Sequence, residues 1–451
     1  MKQTLTILSK VILLNFIILL TAVCTANAQQ VIGLQKAVDL ALQNNLTIKQ
    51  AQYTVALDDE TLKQSKYNEL PGVSAAPQGQ YFFGRSINPA TNQFTTENNL
   101  GVSGSVNAQV TLFQGGQLRN QVVQNRMLLD ADKTNVAKVK NDLILNVVTT
   151  YLQILTNQDL VTAAKQQIDI ANLTLDKTQK SFDAGNQTLA DLAQSKAGVS
   201  TAELNLTTAE NQLSTSILTL KQYMELDPST DINIERPDIS KLNDINTIFD
   251  PADVVKSALN VNPDVKLAEQ QQEAAEEGIK IARGGYYPTL NLFAAAGSNF
   301  SNVSLPGYPA FPFFTQIGNN FNQAVGLSLN IPIFAHFTAR TNVRKAKITA
   351  ENAELTTEIA KNNLSKIIYQ AVLDVHAAEK SYASAVETYE ANKEAFNTIQ
   401  QRYNVGLVNS VDYNTSLTNY DKAQNDMIEA KYTVIFRSKV IDYYLGNPIT
   451  L

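Results

Sequence analysis

Few side chains in this sequence are of types that could catalyse a reaction or bind a metal, and their spacing argues against an active site. The carboxylates that stand out are Asp191 and Asp412, which occupy equivalent places in two similar stretches. The two histidines, His336 and His376, have no second ligand at metal-binding spacing. No Ser/His/Asp set, paired-carboxylate motif or phosphate-binding loop accompanies them. We therefore expect a protein that is not an enzyme and that uses neither a cofactor nor a metal.

Each of the two aspartates follows a glycine by six residues. The glycines are Gly185 and Gly406, and the second glycine–aspartate pair lies 221 residues after the first. Glycine commonly ends a helix, and acids favour the first turn of the helix that follows. The pattern predicts two helix–turn–helix units, in which Asp191 and Asp412 begin the returning helices.

Apolar residues recur every seven positions on both sides of these turns, in register at the same offset of 221. Period seven predicts long helices packed along a seam, from about residue 113 to 182 and from about 337 to 403, each followed by a shorter helix. The positions are Val147, Ile154, Val161, Ile168, Leu175, Phe182, Leu192, Val199, Leu206, Leu213 and Leu220, with Ile368, Val375, Tyr382, Tyr389, Phe396, Tyr403, Tyr413, Tyr420, Met427, Val434 and Ile441 as their counterparts. The chain is therefore expected to be internally duplicated.

Strict alternation of apolar with small polar residues precedes each long helix. The clearest runs are Leu100–Leu112 and Phe321–Ile333, with weaker runs at Val73–Phe83 and Leu290–Phe300. This pattern is typical of transmembrane barrel strands, although a soluble hairpin with a long loop is the alternative. Four strands cannot close a barrel, and open edges are not tolerated in a bilayer. The strands therefore predict an oligomer in which several chains share one barrel.

The sequence predicts a division of the chain into a signal peptide, two repeats and a connector. Residues 1–28 read as a secretory signal peptide, with lipidation at Cys24 as the less favoured alternative. The repeats are expected at 29–225 and 253–451, joined by a connector at 226–252 with a short strand at Ile232–Ile234. Removing the signal peptide, which holds Lys2 and Lys10 and no acid, changes the formal charge from −6 to −8. A mildly acidic chain without a basic stripe is a poor nucleic-acid binder.

At the turns and the strand ends, the sequence resembles the TolC family of outer-membrane efflux proteins. The resemblance rests on order and spacing over nearly the whole mature chain. Its motifs are Phe182-Asp183-Ala184-Gly185, Tyr403-Asn404-Val405-Gly406, Leu112-Phe113-Gln114-Gly115-Gly116 and Tyr287-Pro288.

The resemblance implies an α+β membrane protein in the outer membrane of a Gram-negative bacterium. It would be a homotrimer with a shared 12-stranded β-barrel in contact with outer-membrane lipid, four strands from each chain, and a periplasmic α-helical barrel of coiled-coil hairpins. The implied function is an exit duct of a tripartite efflux or type I secretion system. The implied partners are a periplasmic adaptor protein and an inner-membrane transporter.

The resemblance also assigns roles to the turns. In the family, a Val-Gly-Leu-like motif at the helix tips contacts the adaptor, and Val405-Gly406-Leu407 matches it, whereas the first turn has Ala184-Gly185-Asn186. Asp412 matches an acid that narrows the closed periplasmic entrance, and Asp191 is its repeat mate. Both remain equally interpretable as plain helix-start residues. Thr415 and Val408 replace a second aspartate and a basic latch residue of some members, so gating by those charges is not expected.

Two functions from different classes follow from these patterns. A transport duct explains the strands, the duplicated hairpins and the paired turns. A trimeric coiled-coil stalk, structural or adhesive and anchored in the outer membrane, needs only the heptads. The paired glycine turns with aligned aspartates favour the duct, and the transported substrate stays open.

Overall fold

The computed structural model describes residues 30–87, 92–96, 98–237, 248–303 and 311–447. The predicted signal peptide 1–28 and its Cys24 lie outside the described residues. The chain divides into two compact units. The first consists of Met1–Lys49, Lys138–Asn262 and Leu364–Leu451, and the second of Gln50–Ala137 and Pro263–Asn363.

Apart from the loops between the paired strands, the secondary-structure elements follow the same order in both halves of the chain. The first half contains β1 (Gln30–Ile32), α1 (Leu34–Asn44), α2 (Leu46–Tyr67), β2 (Gly72–Phe82), β3 (Ser86–Ile87), β4 (Phe94–Thr95), β5 (Asn99–Gln114), α3 (Gln117–Asp183) and α4 (Leu189–Tyr223). The second half contains β6 (Ile232–Ile234), α5 (Pro251–Val261), α6 (Pro263–Gly284), β7 (Thr289–Ser301), α7 (Phe313–Asn319), β8 (Asn322–Asn330), α8 (Thr338–Asn404) and α9 (Ser410–Tyr444). Both long helices have 67 residues and both returning helices have 35, which confirms the predicted duplication.

The seven-residue seam is buried as the periodicity predicts. None of the 22 predicted seam side chains is exposed, and all of them belong to the first unit. Burial is complete at Val147, Ile154 and Val375, each with 0% of its surface exposed. Isolated helices are only marginally stable in water, so tertiary burial along this seam supplies most of the stability of α3 and α8.

A hydrophobic core around the middle of α3 anchors the rest of the first unit. Tyr151 is 1% exposed there, and its hydroxyl donates to the carbonyls of Glu235 at 2.7 Å and Ile32 at 3.3 Å. Glu235 directly follows β6, and Ile32 is the last residue of β1. These two strands pair in parallel. The predicted strand in the connector is thus confirmed, and one tyrosine hydroxyl fixes it to the long helix.

The helical segment that opens each half is broken in two, which the sequence did not predict. Asn45 separates α1 from α2, and its side chain accepts hydrogen bonds from the N–H groups of Thr47 at 2.9 Å and Ile48 at 3.4 Å. Asn262 stands in the same place between α5 and α6, followed by Pro263. The Asn45 side chain caps the next helix, so the helix restarts there. In the second copy, α6 begins at Pro263, a residue that suits the first position of a helix.

The second unit contains a four-stranded antiparallel sheet in the order β2–β5–β7–β8. Directly paired residues lie on the same face of a sheet, so the register shows the composition of each face. One face carries the pairs Tyr81 with Leu100, Val102 with Phe300, Val106 with Ala296, Val110 with Leu292, and Leu292 with Leu327. The other face carries Gln78 with Ser103, Ser103 with Asn299, Asn107 with Ala295, Thr111 with Asn291, and Asn291 with Ser328. The alternation predicted from the sequence is therefore confirmed, up to a bulge between Thr111 and Phe113. The predicted run to Ile333 is too long, because β8 ends at Asn330.

The two predicted polar loops hold additional structure. The loop 84–99 contains the small hairpin of β3 and β4. The Arg85 guanidinium packs over the Phe94 ring, 4.3 Å from its centroid. The loop 301–320 contains α7, whose Gln316 side chain donates to the carbonyls of Ser301 and Phe311 at 2.9 and 2.8 Å. Of this second loop, residues 304–310, including Pro306 and Pro309, lie outside the described residues.

The strand-to-helix junctions show a difference between the two copies. In the first, Gly115 and Gly116 adopt left-handed backbone angles, with φ of 59° and 78°. Their counterparts at the 221-residue offset are His336 and Phe337, which keep left-handed φ values of 49° and 59°. Only glycine adopts this conformation without a penalty, which is about 1–2 kcal/mol for other residues. The second junction therefore keeps the shape of the first at an energetic cost.

Replacing His336 by glycine is expected to stabilise the protein by about 1 kcal/mol, because the left-handed penalty is removed. The exposed imidazole contacts only the ring of Phe334 among the described aromatic neighbours, at 5.5 Å between centroids, so little packing is lost. The measurement is the free energy of unfolding in urea. His336→Ala is the matched control, since it removes the ring and keeps the Cβ atom. Equal stability of the glycine and alanine variants would contradict the prediction.

Candidate functional site

The first helix turn ends α3 with a six-residue hydrogen-bonded loop. Gly185 has φ of 75°, its N–H donates to the carbonyl of Phe182 at 2.9 Å, and the N–H of Asn186 donates to Ser181 at 2.9 Å. This is the Schellman arrangement, which satisfies the carbonyls that the last helical turn leaves unpaired. The predicted turn at Gly185 is therefore confirmed as a rigid helix stop.

The second turn repeats this geometry at the end of α8. Gly406 has φ of 74°, its N–H donates to Tyr403 at 3.0 Å, and the N–H of Leu407 donates to Arg402 at 2.9 Å. No atom of the described structure lies within 4 Å of a Cβ built on Gly185 or Gly406. Both glycines are thus required by backbone conformation and not by close packing.

The returning helices begin with side-chain caps, which the aspartates help to form. Thr188 caps α4 in a capping box: its hydroxyl accepts from the Asp191 N–H at 3.2 Å, and its own N–H donates to the Asp191 carboxylate at 3.1 Å. Asn409 caps α9 by accepting from the Asp412 N–H at 2.8 Å. The helix-start interpretation of Asp191 and Asp412 is thereby confirmed, and the caps Thr188 and Asn409 are additions to the predicted set.

Asp191 also joins the two turns to each other. The Ser410 hydroxyl, at the start of α9, donates to one Asp191 oxygen at 2.5 Å, while the Thr188 hydroxyl donates to the other at 2.7 Å. The hydrogen bond from Ser410, followed by those from the Thr188 hydroxyl and N–H, lowers the pKa of Asp191 below its ordinary value. Asp191 is therefore a fully ionised carboxylate that holds the second hairpin beside the first.

Asp412 has a different environment, although it occupies the equivalent position. Its side chain is exposed, and no described group hydrogen-bonds its carboxylate. The duplication thus places one satisfied and one free carboxylate at the beginnings of the returning helices. Only Asp412 is available to an approaching ion or partner.

Apolar side chains surround the second turn without cover in the described chain. Val405 and Leu407 flank Gly406 and are each 70% exposed, and Val411 is 67% exposed. Leu189, at the start of α4, is 68% exposed. Asn186 occupies the position of Leu407 in the first turn and is also exposed, so the first turn is the more polar of the two.

Aromatic rings stiffen the second hairpin directly above its turn. Tyr403 stacks on Tyr413 at 4.6 Å between centroids, and Phe396 packs on Tyr413 and Tyr420 at 5.7 and 5.3 Å. The Tyr403 hydroxyl also accepts from the Gln187 side chain at 3.2 Å, across to the first turn. The seam pattern located these rings, but the sequence did not predict their bonds between the hairpins.

The described residues hold no group of three or more His, Cys, Asp or Glu side chains that could bind a metal ion. Within the same residues, no helix has the length and hydropathy needed to cross a bilayer.

A family model described as "Outer membrane efflux protein" matches residues 37–224 and 254–447. These two ranges contain both long hairpins and both pairs of strands. The chain belongs to the outer membrane efflux protein family. The resemblance predicted from the turns and the strand ends is confirmed.

Individual relatives of this family match over most of their length. Outer membrane protein TolC of Salmonella enteritidis is 24% identical over 350 residues, covering 76% of this chain and 69% of the relative. Toxin and drug export protein A of Aggregatibacter actinomycetemcomitans is 25% identical over 416 residues, covering 89% and 83%. The solved Campylobacter jejuni CmeC outer membrane channel superposes with a TM-score of 0.76 at 19% identity, covering 92% of this chain and 85% of that one.

Ser410→Ala is expected to weaken the contact between the turns of this outer membrane efflux protein. A hydrogen bond to a partly exposed carboxylate is worth about 1 kcal/mol, so amide exchange at 186–192 should rise about fivefold at pH 7. Because the pKa of Asp191 is lowered in the folded protein, this stabilisation is complete above about pH 4 and is lost as pH falls through the folded pKa.

The measurement for this prediction is hydrogen–deuterium exchange between pH 3 and 7. Thr415→Ala is the matched control, because the Thr415 hydroxyl donates only to the Val411 carbonyl of its own helix, at 2.8 Å. The prediction is wrong if Ser410→Ala and Thr415→Ala give the same exchange at 186–192.

Proposed function

We propose that this protein is the outer-membrane exit duct of a tripartite efflux or type I secretion system. The main support for this proposal is a sheet with one apolar and one polar face. The same chain contains two helix hairpins of equal length and belongs to the outer membrane efflux protein family. An apolar outer face suits lipid, and a polar inner face suits a water-filled passage. The family resemblance implies that the helical hairpins form a periplasmic tunnel.

The edges of the sheet support a barrel shared between copies of the chain. Among the described residues, β2 and β8 have no strand partner on their outer sides. Three successive antiparallel pairings make β2 and β8 run in opposite directions, so β8 of one copy can pair antiparallel with β2 of the next. A ring of copies then pairs every strand, as a bilayer requires. We propose a homotrimer with 12 strands, as the family resemblance implies.

The turns supply the proposed contacts between the duct and its partners. The apolar Val405 and Leu407 are the proposed docking residues for a periplasmic adaptor, with Gly185, Asn186 and Gly406 shaping the two tips. Exposed apolar side chains on a rigid turn bind a partner at little entropic cost. The free carboxylate of Asp412 is the better candidate for narrowing the entrance, and Asp191 fixes the spacing of the hairpins.

The partners proposed from the family are the adaptor and, through it, an inner-membrane transporter. A duct receives cargo that the transporter has already selected, so the transporter decides between drugs, metals and proteins. The alternative of a structural or adhesive stalk explains the seam but gives no role to the polar face of the sheet. The proposed residue division, with repeats at 29–225 and 253–451 around a connector at 226–252, follows the same duplication.

A charge on the apolar face of the sheet is expected to prevent membrane assembly, whereas the same charge on the polar face is tolerated. Val325 is 77% exposed in the single chain and lies on the apolar face, next to Ala324 on the polar face. Val325→Lys costs up to about 2–4 kcal/mol at the bilayer midplane, and Ala324→Lys projects into water. The measurement is the yield of outer-membrane trimer. Equal loss in both variants would argue against the assigned faces.

Leu407 is expected to lie against the adaptor in cells. A cysteine at Leu407, labelled with a photo-crosslinker, should capture a periplasmic adaptor, whereas Leu204→Cys on α4, with 65% exposure against 70%, should not. Leu407→Asp should lower export at least tenfold while trimers persist, since desolvating a charge costs more than about 1.4 kcal/mol. Capture of only self-crosslinks or of surface proteins would favour the stalk.

A further inference from the structure

A polar cavity of about 490 Å³ lies between α3, α4 and α9, above the turns and within the first unit. Its wall is built mainly from hydroxyl, amide and small side chains. These include Gln167 and Thr174 from α3, Thr201 and Asn205 from α4, and Thr418 and Asp421 from α9. Gly198 of α4 also lines it, and a Cβ built there would meet no atom within 4 Å, so this part of the cavity is open.

Asp421 is the unusual residue of this wall. Its Oδ1 atom is shielded from solvent and has no hydrogen-bond partner in the described chain. Burying an ionised carboxylate without a partner is costly, so the position favours the neutral acid. Burial raises the pKa of Asp421 to about 7.

The charged groups near this carboxyl do not offset its burial. α3 and α4 contribute only uncharged side chains to the cavity wall, and the charged ones, Lys422 and Asp426, belong to α9 and are exposed. The ionisable neighbours on α9 are Tyr413 and Tyr420, whose pKa values are raised chiefly by burial and to a smaller extent by the charge of Asp421. On the α8 side, the titratable groups facing Tyr420 are Tyr389 and Glu390, neither of which carries a positive charge.

Asp421 lies between two hydrogen bonds that attach α9 to α3. Below it, the Tyr413 and Thr174 hydroxyls are 2.9 Å apart, and above it Gln424 donates to Gln166 at 3.2 Å. Ser200 occupies the equivalent position in the first copy, where it is exposed. The partly buried acid is therefore a feature of the second hairpin, the hairpin that carries the apolar turn.

We propose that Asp421 is a proton-binding site that couples the packing of α9 against α3 and α4 to the pH of the surrounding compartment. The neutral carboxyl fits the cavity, because its O–H can donate to a wall oxygen. The ionised carboxylate instead draws water or a cation into the cavity and loosens α9. Asp421 lies nine residues after Asp412, about 14 Å along the same helix, so this loosening reaches the turn. If the proposed duct function holds, the proton site opens the entrance as pH rises.

The direction and size of the effect follow from linkage. Protons bind the packed state more tightly than the loosened state, in which Asp421 regains an ordinary pKa near 4. The advantage that the bound proton gives the packed state is complete below about pH 4, declines as pH rises and is lost above about pH 7. With a packed-state pKa of about 7, the population of the loosened state grows about tenfold between pH 6 and pH 8.

Hydrogen–deuterium exchange of residues 410–425 in the full-length protein tests the proton site. After correction for the intrinsic pH dependence of exchange, the protection factor should fall about tenfold from pH 6 to pH 8. Asp421→Asn mimics the neutral acid and should abolish this dependence, and Asp421→Ser, which copies the first repeat, should abolish it as well. Asp426→Asn changes an exposed acid at the same cavity and should keep it. The same pH response in Asp421→Asn and the unaltered protein would overturn the proton site.

Conductance of the purified protein in planar bilayers at pH 6 and pH 8 is the second readout. Greater opening at pH 8, absent in Asp421→Asn, supports the coupling to the entrance. A pH-dependent protection factor with pH-independent conductance overturns that coupling. Absence of conductance at every pH contradicts the proposed duct and leaves the exchange measurement to decide the proton site by itself.

Discussion

The seven-residue apolar seam is the constraint on which the rest of the first unit depends. A 67-residue helix has no other large source of stability, because its own hydrogen bonds are worth little in water. Burial is complete in the middle, at Val147 and Val375, and uneven beside the turns, where Phe182 and Tyr403 are half-buried but Tyr413 is only 2% exposed. At the turns, specific polar contacts between the hairpins add to the apolar burial. The bond between Ser410 and Asp191 is one of these contacts.

Duplication has copied the backbone of this arrangement more faithfully than its side chains. Both turns use the same hydrogen-bond pattern around a left-handed glycine, because only that pattern reverses the chain within a few residues. The side chains differ between the two copies. The Asp191 carboxylate accepts a hydrogen bond from the neighbouring hairpin, whereas no described group hydrogen-bonds the Asp412 carboxylate. The same divergence occurs at the strand-to-helix junctions, where His336 replaces Gly115 without a change of conformation. A backbone shape that is essential to the fold thus persists even where the residue that suits it has been lost.

The sequence predicted the features that repeat and missed those that depend on a single contact. Periodicity located the long helices and the four strands, because many residues report each of them together. The break at Asn45 was not predicted, since an asparagine within a helical pattern reads as a surface residue until its capping bonds are seen. The bond from Ser410 to Asp191 joins residues 219 positions apart, and no local pattern reports such a pair. The hairpin and the helix inside the two polar loops were missed for a similar reason, because they are too short to show a period.

Asp421 shows that the proposed role of a side chain can depend on its burial in the fold and not on its residue type alone. It follows the seam residue Tyr420 directly, a place where a heptad pattern normally has a solvent-exposed side chain. In a single pair of helices it would be exposed, as Ser200 is in the first copy. It is buried because α9 packs against both helices of the first hairpin, as the cavity wall shows. Neither copy alone creates the site: it arises where the two hairpins meet, and an acid at this position can sense how closely they are packed.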